Sequence, residues 1–83
     1  MSASARRLIV NADDLGYDPA VSEGIVLAMR SGVVTSSTLM VNLPHSAHGA
    51  ALARGLPVGL HLNLSRGSPL SARFPESKLS GPE

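Results

Sequence analysis

Two adjacent carboxylates, Asp13 and Asp14, are the residues of this chain best suited to chemistry. The segment that contains them, residues 11–16, directly follows the apolar run over residues 8–10, which is typical of a buried strand. Two carboxylates at the end of such a strand are costly to remove from water unless a cation or a shared proton stabilises them. The pair therefore predicts a metal-assisted site, in which one carboxylate binds a cation and the other takes a proton.

Other polar side chains lie at the ends of two further predicted strands. Asn42 follows the second strand, and His61 and Asn63 lie near the end of the third. The carboxyl ends of parallel strands meet at one edge of a sheet, where α/β proteins place their active sites. His61 is then a candidate metal ligand for hydrolysis, and the two asparagines are candidates for lining the substrate. His61 is the only histidine predicted on this edge, so a competent metal site is expected to need one more protein ligand.

Structural roles for these residues stay open as alternatives. The acidic pair could be a solvated turn before a helix, and His61 could be a structural histidine whose hydrogen bonds are satisfied within the fold. Asn42 could serve equally as a turn or cap residue.

The segments that would position these residues alternate between strand and helix patterns. Strands are predicted over residues 7–12, 33–41 and 58–64, with helices over residues 19–31 and 46–54. The β-α-β-α-β order predicts an α/β fold with parallel strands and right-handed crossovers. In the third strand, residues 58, 60, 62 and 64 point one way, and residues 59, 61 and 63 point the other.

The first helix carries the clearest local signals. Asp18 is expected to cap its amino end, Pro19 to occupy the first helical position, and Gly32 to cap its carboxyl end. Gly24 falls inside the helix, where it costs roughly 1 kcal/mol relative to alanine. It is therefore expected to mark a close contact with a neighbouring element.

Composition excludes several classes of protein. A chain of 83 residues suits one small domain with a marginal core, and its formal net charge of +1 gives no reason to expect nucleic-acid binding. It contains no cysteine, which excludes disulfides and thiolate metal sites. No run approaches the ~20 apolar residues of a membrane span, and no signal-peptide core follows the amino-terminal arginines. The expected location is the cytoplasm.

Three segments together resemble the opening of the YdjC-like carbohydrate deacetylases, a family that includes chito-oligosaccharide deacetylases and a hopanoid-biosynthesis branch. They are LIVNADDLG over residues 8–16, GVVTSSTLMVN over residues 32–42 and VGLHLNL over residues 58–64. Each motif alone is weak, but all three occur in order at the family's spacing and cover about residues 6–70. Leu15 stands where the first motif more usually has Phe.

The resemblance implies a TIM-like (β/α) barrel that removes acetyl groups from N-acetylated oligosaccharides or glycolipids. Asp13 would be the catalytic base that activates water, and Asp14 and His61 would be metal ligands. The divalent metal, Mg²⁺ in the first place and Zn²⁺ as the alternative, would polarise the acetyl carbonyl and hold the attacking water. A homodimer is the assembly to consider for the full-length enzyme.

The family's further metal-binding histidine belongs to a His-rich motif well downstream, beyond the 83 residues of this chain. The chain is therefore expected to be the amino-terminal third of one barrel domain, with residues 66–83 as a loop or disordered tail. Three strands cannot close a barrel and leave an open sheet edge. We expect such a fragment to lack deacetylase activity by itself.

Two other functions stay open. A phospho-receiver signalling domain also places an acidic pair after its first strand, where the pair binds Mg²⁺. It needs a phospho-accepting aspartate at the end of its third strand, however, and no aspartate follows Asp18. The other alternative is a non-catalytic remnant of a deacetylase.

Overall fold

A computed structural model describes residues 5–71 of the chain. The elements in this range are β1 (Asn11–Leu15), α1 (Pro19–Ser31), β2 (Ser36–Leu39), α2 (Ser46–Leu52) and β3 (Val58–Leu60). The strands form one sheet in the order β1-β2-β3, and both pairings are parallel. The predicted alternation of strands and helices around a parallel sheet is confirmed.

The strand boundaries differ from the predicted ones. β1 begins at Asn11 rather than at residue 7 and continues to Leu15, so the acidic pair lies inside the strand and not after it. β2 and β3 keep only residues 36–39 and 58–60 of their predicted ranges. The physical reason is that a strand extends only where a partner's hydrogen-bonding groups lie alongside, and an apolar or β-branched run does not reveal where that ladder begins and ends.

The first helix follows its predicted signals. The Asp18 side chain accepts a 2.7 Å hydrogen bond from the amide of Val21, Pro19 opens α1, and Gly32 follows its last residue. α2 ends at Leu52, two residues before the predicted end, and His45 at its start makes no side-chain cap bond. Between residues 5 and 71, neither helix has the length and apolar character that crossing a membrane requires.

The predicted close contact at Gly24 is wrong. Gly24 is exposed, and a Cβ built on it would meet no atom within 4 Å. The close approach occurs at Gly49 in α2, where a Cβ would lie 2.8 Å from the Cα and the nitrogen of Gly16. A glycine inside a helix signals reduced stability, but which neighbour needs its missing side chain depends on how the helices pack.

The core is small and lies between the sheet and the two helices. Its buried members are Leu15 of β1, Ile25 and Val26 of α1, and Ala53 just after α2. Val58 at the start of β3 packs against this core. The leucines that follow lie outside it, since Leu60, Leu62 and Leu64 are 64%, 74% and 61% exposed. Within residues 5–71, β3 pairs with β2 on one side and has no partner strand on its other side.

The chain beyond β3 bears on the predicted tail. Residues 61–71, which include the first residues of that predicted tail, contain no helix or strand. The rest of the predicted tail, residues 72–83, lies outside the described residues.

Candidate metal and catalytic site

The backbone of β1 is distorted at the acidic pair. The register between β1 and β2 shifts between Ala12 and Leu15, and Asp14 has a φ of 74°, the one positive value at a non-glycine residue in the described chain. A left-handed conformation costs an L-residue about 1–3 kcal/mol and persists where the surroundings impose it, commonly at functional sites. Irregularities of this kind re-aim side chains.

The distortion places Asp14 beside the third strand. Its Oδ1 lies 3.5 Å from Nδ1 of His61, the first residue after β3. The amide of His61 donates a 2.9 Å hydrogen bond to the carbonyl of Leu39, which fixes the histidine backbone at the end of the sheet. The structure therefore brings together the two residues predicted as metal ligands.

Asp13 is held on the same side of the sheet by two polar neighbours. The amide Nδ2 of Asn11 donates a 2.9 Å hydrogen bond to Asp13 Oδ1, and the hydroxyl of Thr38 lies 3.5 Å from the same oxygen. Thr38 also lies 3.5 Å from Nδ1 of His61. Ser36 in turn donates a 2.7 Å hydrogen bond to Asn11 Oδ1 and orients its amide. One network thus connects Asp13 to the histidine.

The sequence interpretation missed Asn11, Ser36 and Thr38 as site residues. Residues 35–38 of the second strand read as ordinary polar positions of a strand. The available signal was the two-residue period, which places Ser36 and Thr38 on one face. Only the parallel pairing of β2 between β1 and β3 shows that this face carries the acidic residues.

The turn after Asp14 is supported from both helices. Tyr17 closes it with a 3.0 Å hydrogen bond from its amide to the Asp14 carbonyl. Inside the turn, the amide of Gly16 donates a 2.9 Å bond to the hydroxyl of Ser22, which is fully buried in α1. Gly49 of α2 packs directly against Gly16. These contacts supply the surroundings that hold Asp14 in its strained conformation.

The geometry of the Asp14–His61 pair suits a divalent metal. An oxygen and a nitrogen that both bind one ion at about 2.1 Å lie roughly 3–3.5 Å apart, because neighbouring ligands subtend about 90–110° at the metal. The observed separation is 3.5 Å, and the two side chains are 52% and 27% exposed, so an ion can reach them. No group of three or more His, Cys, Asp and Glu residues suited to a metal occurs within residues 5–71. Asp14 and His61 are thus two groups that could hold an ion only together with further ligands.

Asn42 and Asn63 form a second cluster beside the first. The Asn63 amide donates a 2.9 Å hydrogen bond to Asn42 Oδ1, and both amides donate to the carbonyl of Arg66. With His61 they line a pocket of about 200 Å³. The structure therefore brings the two predicted substrate-lining residues together, with His61 at the boundary between the two clusters.

Comparison with known proteins identifies close relatives. The sequence profile of a family described as YdjC-like protein matches residues 7–81. A carbohydrate deacetylase of Brevibacillus brevis is 54% identical over 83% of the chain, and one of Homo sapiens is 50% identical over 100% of it. A chitooligosaccharide deacetylase of Serratia marcescens is 50% identical over 78% of the chain.

A solved structure agrees with the fold. The crystal structure of a protein from Enterococcus faecalis V583, with a suggested role in cellobiose-phosphate cleavage, superposes with a TM-score of 0.70 at 39% identity. The match covers 83% of this chain and 28% of that protein. The chain likewise spans 27–29% of the length of the three deacetylases.

Proposed function

The chain belongs to the YdjC-like protein family, and on that premise we propose that it supplies the first β/α units of a metal-dependent carbohydrate deacetylase. The observation that carries the proposal is the strained turn of β1, which presents Asp14 to His61 at 3.5 Å with Asp13 held nearby. The proposed substrates are N-acetylated oligosaccharides, which the names of the relatives support, with N-acetylated glycolipids as the alternative. The proposed complete fold is a TIM-like barrel, and the proposed location of the protein is the cytoplasm.

We assign Asp13 the role of general base. Its described hydrogen bonds, from Asn11 and Thr38, both fall on Oδ1. No described residue donates a hydrogen bond to Oδ2, and the side chain is exposed, so this oxygen is placed to take a proton from water. The water oxygen then attacks the acetyl carbonyl carbon. The proton held by Asp13 passes to the amide nitrogen as the C–N bond breaks, which releases the free amine and acetic acid, the latter ionising to acetate.

Asp14 and His61 would hold the divalent metal, Mg²⁺ or Zn²⁺. The bound ion would supply Lewis-acid polarisation of the acetyl carbonyl. The Thr38 hydroxyl, 3.5 Å from both Asp13 Oδ1 and His61 Nδ1, keeps the base and the ligand in fixed relation. In this assignment each of the two adjacent carboxylates has its own task, so the two negative charges are not needed at the same position.

The phospho-receiver alternative shares the acidic pair but lacks the residue that would accept the phosphoryl group. At the end of β3, where that function needs an aspartate, the chain has His61. The imidazole lies within reach of Asp14, as a metal ligand should.

The chain alone is expected to release no measurable acetate from N,N′-diacetylchitobiose. Its described residues offer two metal ligands, and the leucines at positions 60, 62 and 64 are exposed, so the site lacks both ligands and walls. A hybrid of residues 1–71 with the remainder of the Brevibacillus brevis enzyme is expected to release acetate in the presence of divalent metal. Metal-dependent acetate release by the 83-residue chain itself would contradict this expectation, and an inactive but folded hybrid would contradict the proposed function.

The proposed ligands are tested by metal titration of the chain. Replacing Asp14 by Asn or His61 by Ala is expected to weaken Mg²⁺ or Zn²⁺ binding at least tenfold, because each change removes one of two protein ligands. Calorimetry or amide chemical shifts would measure the affinity. His48→Ala is the matched control, since His48 is exposed on α2 and belongs to no described contact of the site. Equal affinity in both site variants and in the wild type would remove the two residues as ligands.

A further inference from the structure

In the loop after β3, the side-chain amides of two asparagines bind the backbone of one residue, Arg66. The amide N–H of Arg66 donates a 3.1 Å hydrogen bond to Asn63 Oδ1, and its carbonyl accepts bonds of 2.8 Å from Asn63 and 3.0 Å from Asn42. The two asparagines are joined by a further bond of 2.9 Å. Both backbone groups of Arg66 are therefore fixed by side chains from elsewhere, an arrangement that we call the amide clamp (Asn42 and Asn63).

The conformation of the next residue, Gly67, further restricts the path of the loop. Gly67 has a φ of 77°, and a Cβ on it would lie 2.7 Å from Cδ2 of Leu43. The positive φ favours glycine at position 67, and any larger residue there would also have to displace the Leu43 side chain. The clamp and the glycine together determine where the Arg66 side chain leaves the backbone.

The Arg66 side chain reaches across to the turn that carries Asp14. Its Nη1 lies 3.4 Å from the hydroxyl of Tyr17, and its Cζ is 5.5 Å from the centre of the Tyr17 ring. Tyr17 is the residue that closes the turn on the Asp14 carbonyl. The guanidinium therefore lies at the rim of the proposed catalytic site, although Arg66 comes 52 residues after Asp14 in the chain.

The guanidinium has donors to spare. An arginine carries five N–H donors, and within residues 5–71 the Arg66 side chain makes one hydrogen bond and no ion pair. The side chain is exposed, and the ring beneath it limits its freedom. A pre-positioned guanidinium with free donors is suited to oxygen atoms of a ligand, because less entropy is lost when the bonds form.

We propose that Arg66, seated on Tyr17, binds the sugar portion of the substrate, and that Asn42 and Asn63 are positioning residues for it. Arg66 donates hydrogen bonds to sugar oxygens, either hydroxyls or an acidic substituent, while the acetyl group lies at Asp13 and His61. This inference rests on the proposed deacetylase function and adds a specificity determinant to it. It also gives the pocket lined by Asn42, Asn63 and Arg66 a ligand.

The test is a sugar titration of the ¹⁵N-labelled 83-residue chain, with N,N′-diacetylchitobiose and its 6-phosphate as probes. Arg66→Ala is expected to weaken binding at least fivefold, and Arg66→Lys to recover only part of the loss, because lysine lacks the planar fork. Equal losses for the two probes would assign the contact to hydroxyls, and a loss confined to the phosphate would assign it to an acidic group. Arg54→Ala is the matched control, because Arg54 is an exposed arginine beyond α2.

The positioning role has its own readout. Asn63→Ala is expected to weaken sugar binding, and adding it to Arg66→Ala is expected to cause no further loss, because the clamp acts through the arginine. Unchanged binding in Arg66→Ala would overturn the proposal, as would a wild-type chain that binds neither sugar. Additive losses in the double variant would overturn the positioning role. Metal affinity, on which the proposed function depends, is measured separately and is expected to be unchanged in the Arg66 variants.

Discussion

Replacing Asp13 by Asn in the hybrid enzyme is expected to lower kcat for acetate release by roughly 10²–10⁴-fold, the usual contribution of a general base. Asparagine has the same shape, and its carbonyl oxygen can still accept the bond from Asn11 that Asp13 accepts at 2.9 Å. It cannot accept a proton from water. The change should therefore remove the base while leaving substrate KM and metal affinity near their original values. Steady-state acetate release and metal titration of the same variant would measure the two effects.

The matched control is Asp18→Asn. Asp18 accepts a hydrogen bond from Val21 as the cap of α1, and asparagine is an equally good cap residue. This variant is expected to retain full activity. An Asp13→Asn hybrid with kcat within tenfold of the unsubstituted hybrid would exclude Asp13 as the base, and a parallel loss of metal affinity would reassign it as a ligand.

Replacing Gly49 by Ala is expected to destabilise the chain and disturb the acidic turn. The new Cβ would lie 2.8 Å from two backbone atoms of Gly16 and 3.1 Å from the hydroxyl of Ser22, which accepts the Gly16 amide. Overpacking of this kind costs about 1–3 kcal/mol, which more than offsets the roughly 0.5–1 kcal/mol that alanine gains over glycine in a helix. Urea unfolding followed by circular dichroism would measure the loss, and metal titration would report the displacement of Asp14.

Gly24→Ala provides the opposite result within the same chain. Gly24 is also helical, but nothing lies within 4 Å of its Cβ position, so the helix preference for alanine acts alone. This variant is expected to be more stable by about 0.5–1 kcal/mol and to bind metal like the wild type. A Gly49→Ala chain as stable as Gly24→Ala would show that α2 does not press on the acidic turn.

Local signals in the sequence predicted which helices and strands form better than they predicted the residues at which the strands begin and end. Asp18, Pro19 and Gly32 define α1 through contacts within a few residues, so reading them needs no knowledge of the rest of the chain. The strands are different, because their ends depend on a partner that lies some 25 residues away. The apolar residues Leu8 and Ile9 illustrate this, since both are 79% exposed and stand before the paired part of β1.

The residues of the candidate site likewise fall into those that the sequence predicted and those that it did not. Asp13, Asp14 and His61 were predicted from residue type and from their place at strand ends, and the structure places them in one group. Thr38 and Asn11 were not predicted, because their value lies in a cross-strand network that only the register creates. Arg66 was not predicted either, since its position depends on two amides and a glycine that are separated in the chain.

By itself, the sequence determined which chemistry is available and in what order: an acidic pair, a polar strand and a histidine, separated by two helices. Residue type and chain order are local properties, so the carboxylates, the imidazole and the α1 cap could be recognised one at a time. Tertiary structure decided how they meet. β1 shifts its register and takes a positive φ at Asp14, close to the packing of Gly49 on Gly16, and parallel pairing through β2 brings His61 to within 3.5 Å of Asp14. Those contacts join residues far apart in the chain, and no local preference contains them.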